Sequence, residues 1–240
     1  MKVLVSVISL AEARIAIEGG ADIIDIKNPA EGSLGAQYPW VIKEIINEIK
    51  TFGALSSATL GDLPYKPGTA SLAALGATVC GVDYIKAGLY GARNYSEAHD
   101  MMRSIVQAVR MVNSSTLVVA AGYADFARFG GVNYKDLVNA AKDSEADVVM
   151  VDTAIKDGKN IFDAMNTAQI REFVDLAHGA GLIVALAGSL KKEHLAELAA
   201  LNPDIIGIRG DVCDKGLRTS GLVKEKVEAF MEQALARNHK

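Results

Sequence analysis

A chain of 240 residues, 50% hydrophobic and with only five prolines, can bury one large core, and an α/β barrel occupies about 200 to 250 residues as a single domain. Its 25 basic and 29 acidic residues leave a net charge of −4, which excludes the broad positive field needed to hold a nucleic-acid backbone or an anionic membrane surface. Cys80 and Cys213 stand far apart and form no CxxC pattern, and the start Met1-Lys-Val-Leu-Val-Ser-Val-Ile lacks the features of a secretory signal, so a cytoplasmic protein with no membrane span is expected.

In chain order, short β-branched runs alternate with segments of helical spacing about once every 25 to 30 residues. Strands are predicted over residues 2–7, 22–27, 54–59, 84–87, 117–121, 148–151, 183–187 and 205–208. Each precedes a predicted helix, over residues 9–18, 39–50, 69–80, 95–112, 134–144, 167–180, 191–201 and 221–236. Ser9 and Thr167 suit N-caps, Pro39 suits a first turn, and Gly19-Gly20 and Gly179 suit positions beyond a last turn. Eight rounds in one rhythm predict an α/β fold, a single-domain (β/α)8 TIM barrel over residues 1–240, with a doubly wound open sheet as the competing topology.

Side chains alternate faces along a strand, so Asp25 and Lys27 share one face while Ile24 and Ile26 share the other. If the isoleucines pack beneath helices, Asp25 and Lys27 point inward. By the same parity Tyr84 goes with Lys86, and Met150 with Asp152. Chemistry in a barrel of this kind sits at the C-terminal ends of the strands, the layer that Lys27, Lys86 and Asp152 occupy, with Lys156 in the loop just beyond. Taken singly, each lysine reads as a solvated loop residue; three at strand ends favour a shared site. Mutual repulsion of the amines would push one towards the neutral, nucleophilic form, while Asp25 and Asp152 would hold them charged, and local sequence does not rank the two effects. Polar groups at strand ends add little to a core, so exchange of Lys27 or Lys86 for alanine is expected to spare the fold.

Two stretches suit a substrate phosphate. Gly188 and Ser189 follow the seventh strand, and Arg209 and Gly210 follow the eighth, where barrels hold phosphate with backbone N–H groups; Ser189 adds a hydroxyl and the Arg209 guanidinium a charged fork, with a simple turn at each glycine as the bland alternative. The long loops 27–35 and 61–68 are expected to lie over the mouth. His99, His178, His194 and His239 fall in helix or tail segments without a metal-ligand spacing, and no GxGxxG opens a helix after the first strand, so neither a metal nor a cofactor is expected. The single Trp40 is expected to pack in the core or a loop.

Longer motifs carry a resemblance. Asp25-Ile-Lys27-Asn-Pro with Glu31-Gly-Ser-Leu-Gly35, Gly61-Asp-Leu-Pro-Tyr-Lys-Pro-Gly68, Tyr84-Ile-Lys86-Ala-Gly-Leu-Tyr-Gly91, Ala120-Ala-Gly-Tyr-Ala-Asp125, Asp152-Thr-Ala-Ile-Lys-Asp-Gly158, Ala185-Leu-Ala-Gly-Ser189 and Ile208-Arg-Gly210 run through nearly the whole chain. Together they resemble the (5-formylfuran-3-yl)methyl phosphate synthase family of methanofuran biosynthesis. The resemblance implies a cofactor-free (β/α)8 lyase that joins two molecules of glyceraldehyde 3-phosphate, with Lys27 matching the Schiff-base lysine, Lys86 the proton acceptor, and Asp25, Asp152 and Lys156 the supporting charges. It also implies triose phosphates as the small-molecule partners and a homo-oligomer. A Schiff-base aldolase for another small sugar phosphate, and a phosphosugar-binding protein whose lysines only neutralise charge, are the competing readings. Residues 126–132 receive no role.

Overall fold

The computed structural model of the protein describes residues 1–238. Eight strands, β1 (Lys2–Val7), β2 (Ile23–Ile26), β3 (Leu55–Asp62), β4 (Tyr84–Gly88), β5 (Leu117–Tyr123), β6 (Val148–Asp152), β7 (Ile183–Leu186) and β8 (Ile205–Ile208), pair in parallel in sequence order. Lys2 of β1 sits opposite Ile205 of β8, so the sheet closes into a barrel and the open-sheet alternative falls. Closure removes both sheet edges and fixes an inside and an outside for every strand.

The outer ring comprises α1 (Leu10–Glu18), α2 (Pro39–Ile49), α3 (Pro67–Val79), α4 (Tyr95–Arg110), α5 (Tyr134–Asp143), α6 (Ile161–Ala164), α7 (Thr167–Gly179), α8 (Leu195–Leu201) and α9 (Lys224–Asn238). Each long helix buries a stripe: in α2 it is Ile42, Ile45, Ile46 and Ile49, spaced to lie on one face. Those residues join Ile24, Ile26, Ile85, Val149 and Val151 in the core between helices and barrel. The opposite strand faces, with Leu4, Ile23, Tyr84, Val119 and Met150, fill the barrel interior. Strand parity therefore holds, and Asp25, Lys86 and Asp152 are buried.

Local chemistry moved several boundaries. Ser9 caps α1 as expected, but α7 is capped by Asn166 in a capping box with Gln169, not by Thr167. Gly179 is the last residue of α7, and the positive φ of 78° that ends the turn belongs to Gly181. The helix predicted over 191–201 begins as a 3-10 turn, Lys192–His194, and the one predicted from residue 221 begins at Lys224 because residues 210–223 form other structure. The four-residue α6 is too short to show a helical period in sequence; a capping box of Asn160 and Asp163 holds it. Loop 61–68 shrinks to residues 63–66, since β3 runs on to Asp62 and α3 starts at Pro67. Trp40 packs in no core: it is 68% exposed and stacks on Tyr38 at 4.8 Å. No helix among the described residues is long and apolar enough to cross a membrane.

At the N-terminal end of the barrel one device recurs. Asp22, Asp83, Asp147 and Asp204 each precede an even-numbered strand, and their carboxylates accept from the backbone N–H of Val3, Ser56, Val118 and Val184 at 2.7 to 2.8 Å. Each aspartate's own N–H donates back to the carbonyl of that same residue at 3.0 to 3.1 Å. The carboxylate thereby satisfies a donor at the start of the preceding strand and sets the stagger between the two. Asp83 also accepts from the Ser56 hydroxyl, at 2.7 Å. Asp83→Ala should lower unfolding stability by about 1 to 2 kcal/mol in urea titrations. An unchanged denaturation midpoint would remove these aspartates from the account of register.

Candidate active site

At the other end of the barrel a cavity of about 410 Å³ opens, walled by residues of β1, β4, β6 and β8, by Lys27 just beyond β2, and by the loops after β6, β7 and β8. Lys27, Lys86, Asp152, Lys156, Gly188, Ser189, Arg209 and Gly210 all line it. Asp25 lies beneath, wholly buried.

Strand register explains the grouping. Ser6 of β1 and Ser57 of β3 flank Asp25, and Ser6 Oγ donates to Asp25 Oδ2 at 2.9 Å. From β4, Lys86 Nζ reaches both Asp25 oxygens at 3.0 Å, donating to Oδ2 and giving Oδ1 a charge contact alone. Across the cavity Lys156 Nζ donates to Asp152 Oδ1 at 2.8 Å and to Thr153 Oγ1 at 2.9 Å, and the Thr153 N–H reaches the same carboxylate oxygen at 2.7 Å. Lys27 has no carboxylate within ion-pair distance among the described residues; its Nζ donates to the Ser33 carbonyl at 3.3 Å.

Three amines and two carboxylates thus leave one amine over, and the electrostatics single it out. Burial is the largest influence on Lys27, and with the charges of Lys86 and Lys156 it outweighs Asp152 and Asp25 to lower the amine's pKa to about 7. Burial pushes the Asp152 carboxyl up, but Lys156 and Lys27 prevail and hold it at about 2. Asp25 is likewise lowered, Lys86 and Lys27 overcoming its burial. The competition that local sequence left open is decided by geometry: Lys86 and Lys156 each have their own counter-ion, and Lys27 does not.

Loop 27–35 is held from several sides. Asn28 N–H donates to the Gly35 carbonyl, Thr59 Oγ1 donates to the same carbonyl, and Ser33 Oγ donates to the Thr153 carbonyl. The Leu34 N–H meets Asp62, which also accepts from the buried Tyr123 hydroxyl. Gly32 has φ of 137°, and a Cβ there would lie 2.1 Å from Asp62 Oδ2, so only glycine fits the approach. Asp125 braces the other wall, together with Arg128 from the segment 126–132, which has no sequence signal of its own. Asp125 accepts from the N–H groups of Ala154 and Ile155, and Arg128 pairs with Asp157 at 2.9 Å, fixing the loop that carries Lys156.

Arg209 needs a correction. Its guanidinium, expected to hold phosphate, is turned into the protein: Nη1 donates to the Ser6 carbonyl and to Glu12 Oε2, both at 2.8 Å, Nη2 to Glu12 Oε1 and the Ser220 carbonyl, and Nε to the Arg218 carbonyl. No free fork remains. The backbone N–H groups of Gly188, Ser189 and Gly210 are, by contrast, outside the internal hydrogen-bond network of the described residues, with Gly188 and Ser189 at positive φ. Loop 61–68 lies away from this cavity; Asp62, Pro64 and Tyr65 line a separate one with Tyr90 and Phe129. Lys86 also departs from expectation. It is 2% exposed and paired with a carboxylate that is 0% exposed, so Lys86→Ala would strand a buried charge and cost stability. His99, His178 and His194 do not line the cavity, and His239 lies outside the described residues.

A family model described as 4-HFC-P synthase matches residues 3–231. The (5-formylfuran-3-yl)methyl phosphate synthase of Archaeoglobus fulgidus is 58% identical over 232 residues, covering 97% of this chain and 98% of that protein. The enzyme of the same name from Methanocaldococcus jannaschii is 53% identical over 233 residues, covering 97% and 99%. Among solved structures, KGPDC from Streptococcus mutans superposes with a TM-score of 0.66 at 11% identity, covering 98% of this chain and 97% of that one. For 3-hexulose-6-phosphate synthase from Salmonella typhimurium the TM-score is 0.65 at 16% identity, with 98% and 100% covered. At such identities the structures speak for the barrel alone.

An acylating reagent that attacks neutral amines should modify Lys27 ahead of the other lysines, with a rate that climbs through a midpoint near pH 7. The sign follows from the base: at pH 6 about one amine in ten is neutral, at pH 8 about nine in ten. Asp152→Asn removes a charge that favours the ammonium form, so its midpoint should fall below that of the parent; a midpoint near pH 10 in both proteins would refute the electrostatic ranking.

Proposed function

The chain belongs to the 4-HFC-P synthase family, and from that premise we propose that it condenses two molecules of glyceraldehyde 3-phosphate into (5-formylfuran-3-yl)methyl phosphate through an imine on Lys27. Two C3 phosphates become one C6 monophosphate by losing one phosphate and two waters. The reaction therefore needs an electron sink, groups that move protons and holders for anions. The observation that carries the reading is Lys27 itself, a buried amine with no counter-ion of its own and a pKa lowered to about 7, at the wall of a cavity that Lys86, Asp152 and Lys156 also line.

The neutral Lys27 amine adds to the triose aldehyde, and loss of water gives an imine that withdraws electrons from the adjacent carbon and makes its proton acidic. The Lys86–Asp25 pair serves that proton: when the Lys86 ammonium passes one proton to the Asp25 carboxylate, the amine so formed accepts the proton from carbon, and the reverse transfers return it. Asp152 and Lys156, paired across the cavity, supply the carboxylate and ammonium that the eliminations of water and phosphate require. The free N–H groups of Gly188, Ser189 and Gly210 receive a phosphate. Production of the furan belongs to the biosynthesis of methanofuran, the role that the family resemblance implies.

Incubation with glyceraldehyde 3-phosphate should release inorganic phosphate in step with the appearance of an ultraviolet-absorbing furan aldehyde. Lys27→Ala should lose turnover altogether, and Lys86→Gln, which keeps a donor towards Asp25, should lose about 10²- to 10⁴-fold in kcat. Carbon–carbon bond formation without phosphate release would instead identify a simple aldolase, and full activity in Lys27→Ala would refute the proposal.

A further inference from the structure

Three charged side chains of the cavity wall, Lys191, Asp211 and Arg218, are assigned no task by the proposed chemistry; Lys191 meets Glu193 at 3.7 Å and Asp211 accepts from the Lys192 N–H, which leaves Arg218. Arg218 lines the wall, half-buried, and burial lowers its pKa from the ordinary guanidinium value. Its Nη2 donates to the Gly32 carbonyl at 3.1 Å. No carboxylate lies within ion-pair distance among the described residues, although Asp152 and Asp62 act on it from further away. A guanidinium removed from much of its water, with most of its donors unused, is a poor arrangement for stability alone and a good one for meeting an anion.

The loop that carries it is built for position. After β8 the chain makes two 3-10 turns, Gly210–Val212 and Asp214–Gly216, and an antiparallel bridge between Cys213 and Leu222 ties the base of residues 213–222. Asp214 N–H donates to the Gly221 carbonyl, and Ser220 N–H to the Leu217 carbonyl, so the tip bearing Arg218 is closed upon itself. From below, Arg209 Nε holds the Arg218 carbonyl at 2.6 Å, and Arg209 is anchored by its buried pair with Glu12. A chain of charge-assisted contacts thus runs from α1, through Arg209, to the backbone of Arg218, whose side chain reaches across to the loop after β2.

We propose that Arg218 is the charged contact for a phosphate of the substrate, and that Arg209 acts behind it as a positioning residue. The assignment rests on the proposed triose-phosphate chemistry. It transfers the phosphate-binding role from the saturated guanidinium to the unpaired one nine residues further on. The contact with Gly32 gives it a second consequence: an anion seated on Arg218 joins the loops after β8 and β2 above Lys27 and keeps bulk water from the imine.

The test pairs phosphorylated and unphosphorylated probes. In Arg218→Ala the KM for glyceraldehyde 3-phosphate should rise, or competitive inhibition by inorganic phosphate should weaken, by about 10- to 100-fold, the span of a charged hydrogen bond. Arg218→Lys should recover part of the loss. Borohydride trapping of unphosphorylated glyceraldehyde on Lys27 should stay at the parent level in both variants, because that aldehyde offers Arg218 nothing to hold. Arg209→Lys should raise KM more than it lowers kcat. Unchanged KM and unchanged phosphate inhibition in Arg218→Ala would overturn the assignment. So would an equal loss of trapping with the unphosphorylated aldehyde, which would make Arg218 a support for the loop. If the unaltered protein traps no aldehyde, the imine is refuted, while inhibition by phosphate still decides Arg218.

Discussion

The site depends on an imbalance of charge among buried side chains at the wall of a cavity. Asp25 and Asp152 are both buried, each takes one lysine as its partner, and a third lysine is left without one. A charged amine without a dedicated counter-ion is costly in such surroundings, and losing a proton is the cheapest relief. The two ion pairs therefore do more than neutralise each other. By occupying both carboxylates they deny Lys27 a partner, and by presenting their ammonium groups they repel its proton. Removal of either carboxylate would disturb the whole group, which links the titration of Lys27 to residues on three different strands.

The barrel makes this imbalance possible by separating two tasks along its axis. At the N-terminal end four aspartates fix the starts of β1, β3, β5 and β7 through paired contacts with one backbone residue each. At the C-terminal end the same residue type serves a different purpose, because Asp25 and Asp152 accept from lysines instead of strand N–H groups. Register set at one end fixes which side chains meet at the other. Loop 27–35 completes the arrangement, since its carbonyl at Ser33 orients the Lys27 amine while Asp62 and Thr59 hold the loop itself.

Much of this was legible in local sequence because a parallel barrel translates chain order into spatial order. The alternation of Asp25-Ile-Lys27, Tyr84-Ile-Lys86 and Met150-Val-Asp152 placed the polar ends inside, and strands 1 to 8 closed in the order they occur. The Asp that precedes β2, β4, β6 and β8, each followed by two apolar residues, also recurs along the chain, but its meaning lies in a contact 19 to 29 residues distant and shows only in the structure. What local sequence could not disclose was partnership across long separations. Arg209 meets Glu12 from 197 positions away, and Arg218 meets Gly32 from 186. Both arginines follow β8, and only the closed structure tells which one is consumed. Trp40 misled for a simpler reason, since stacking on Tyr38 buries one face of its ring and leaves it on the surface.

In the proposed chemistry Lys27, and neither of the paired lysines, is the amine that takes the substrate carbonyl. Reduction of the protein with borohydride in the presence of glyceraldehyde 3-phosphate, followed by peptide mapping by mass spectrometry, tests it most directly. A carbon adduct is expected on the peptide containing Lys27, with Lys86 and Lys156 unmodified. An adduct on Lys86 or Lys156, or none at all under turnover, would contradict it.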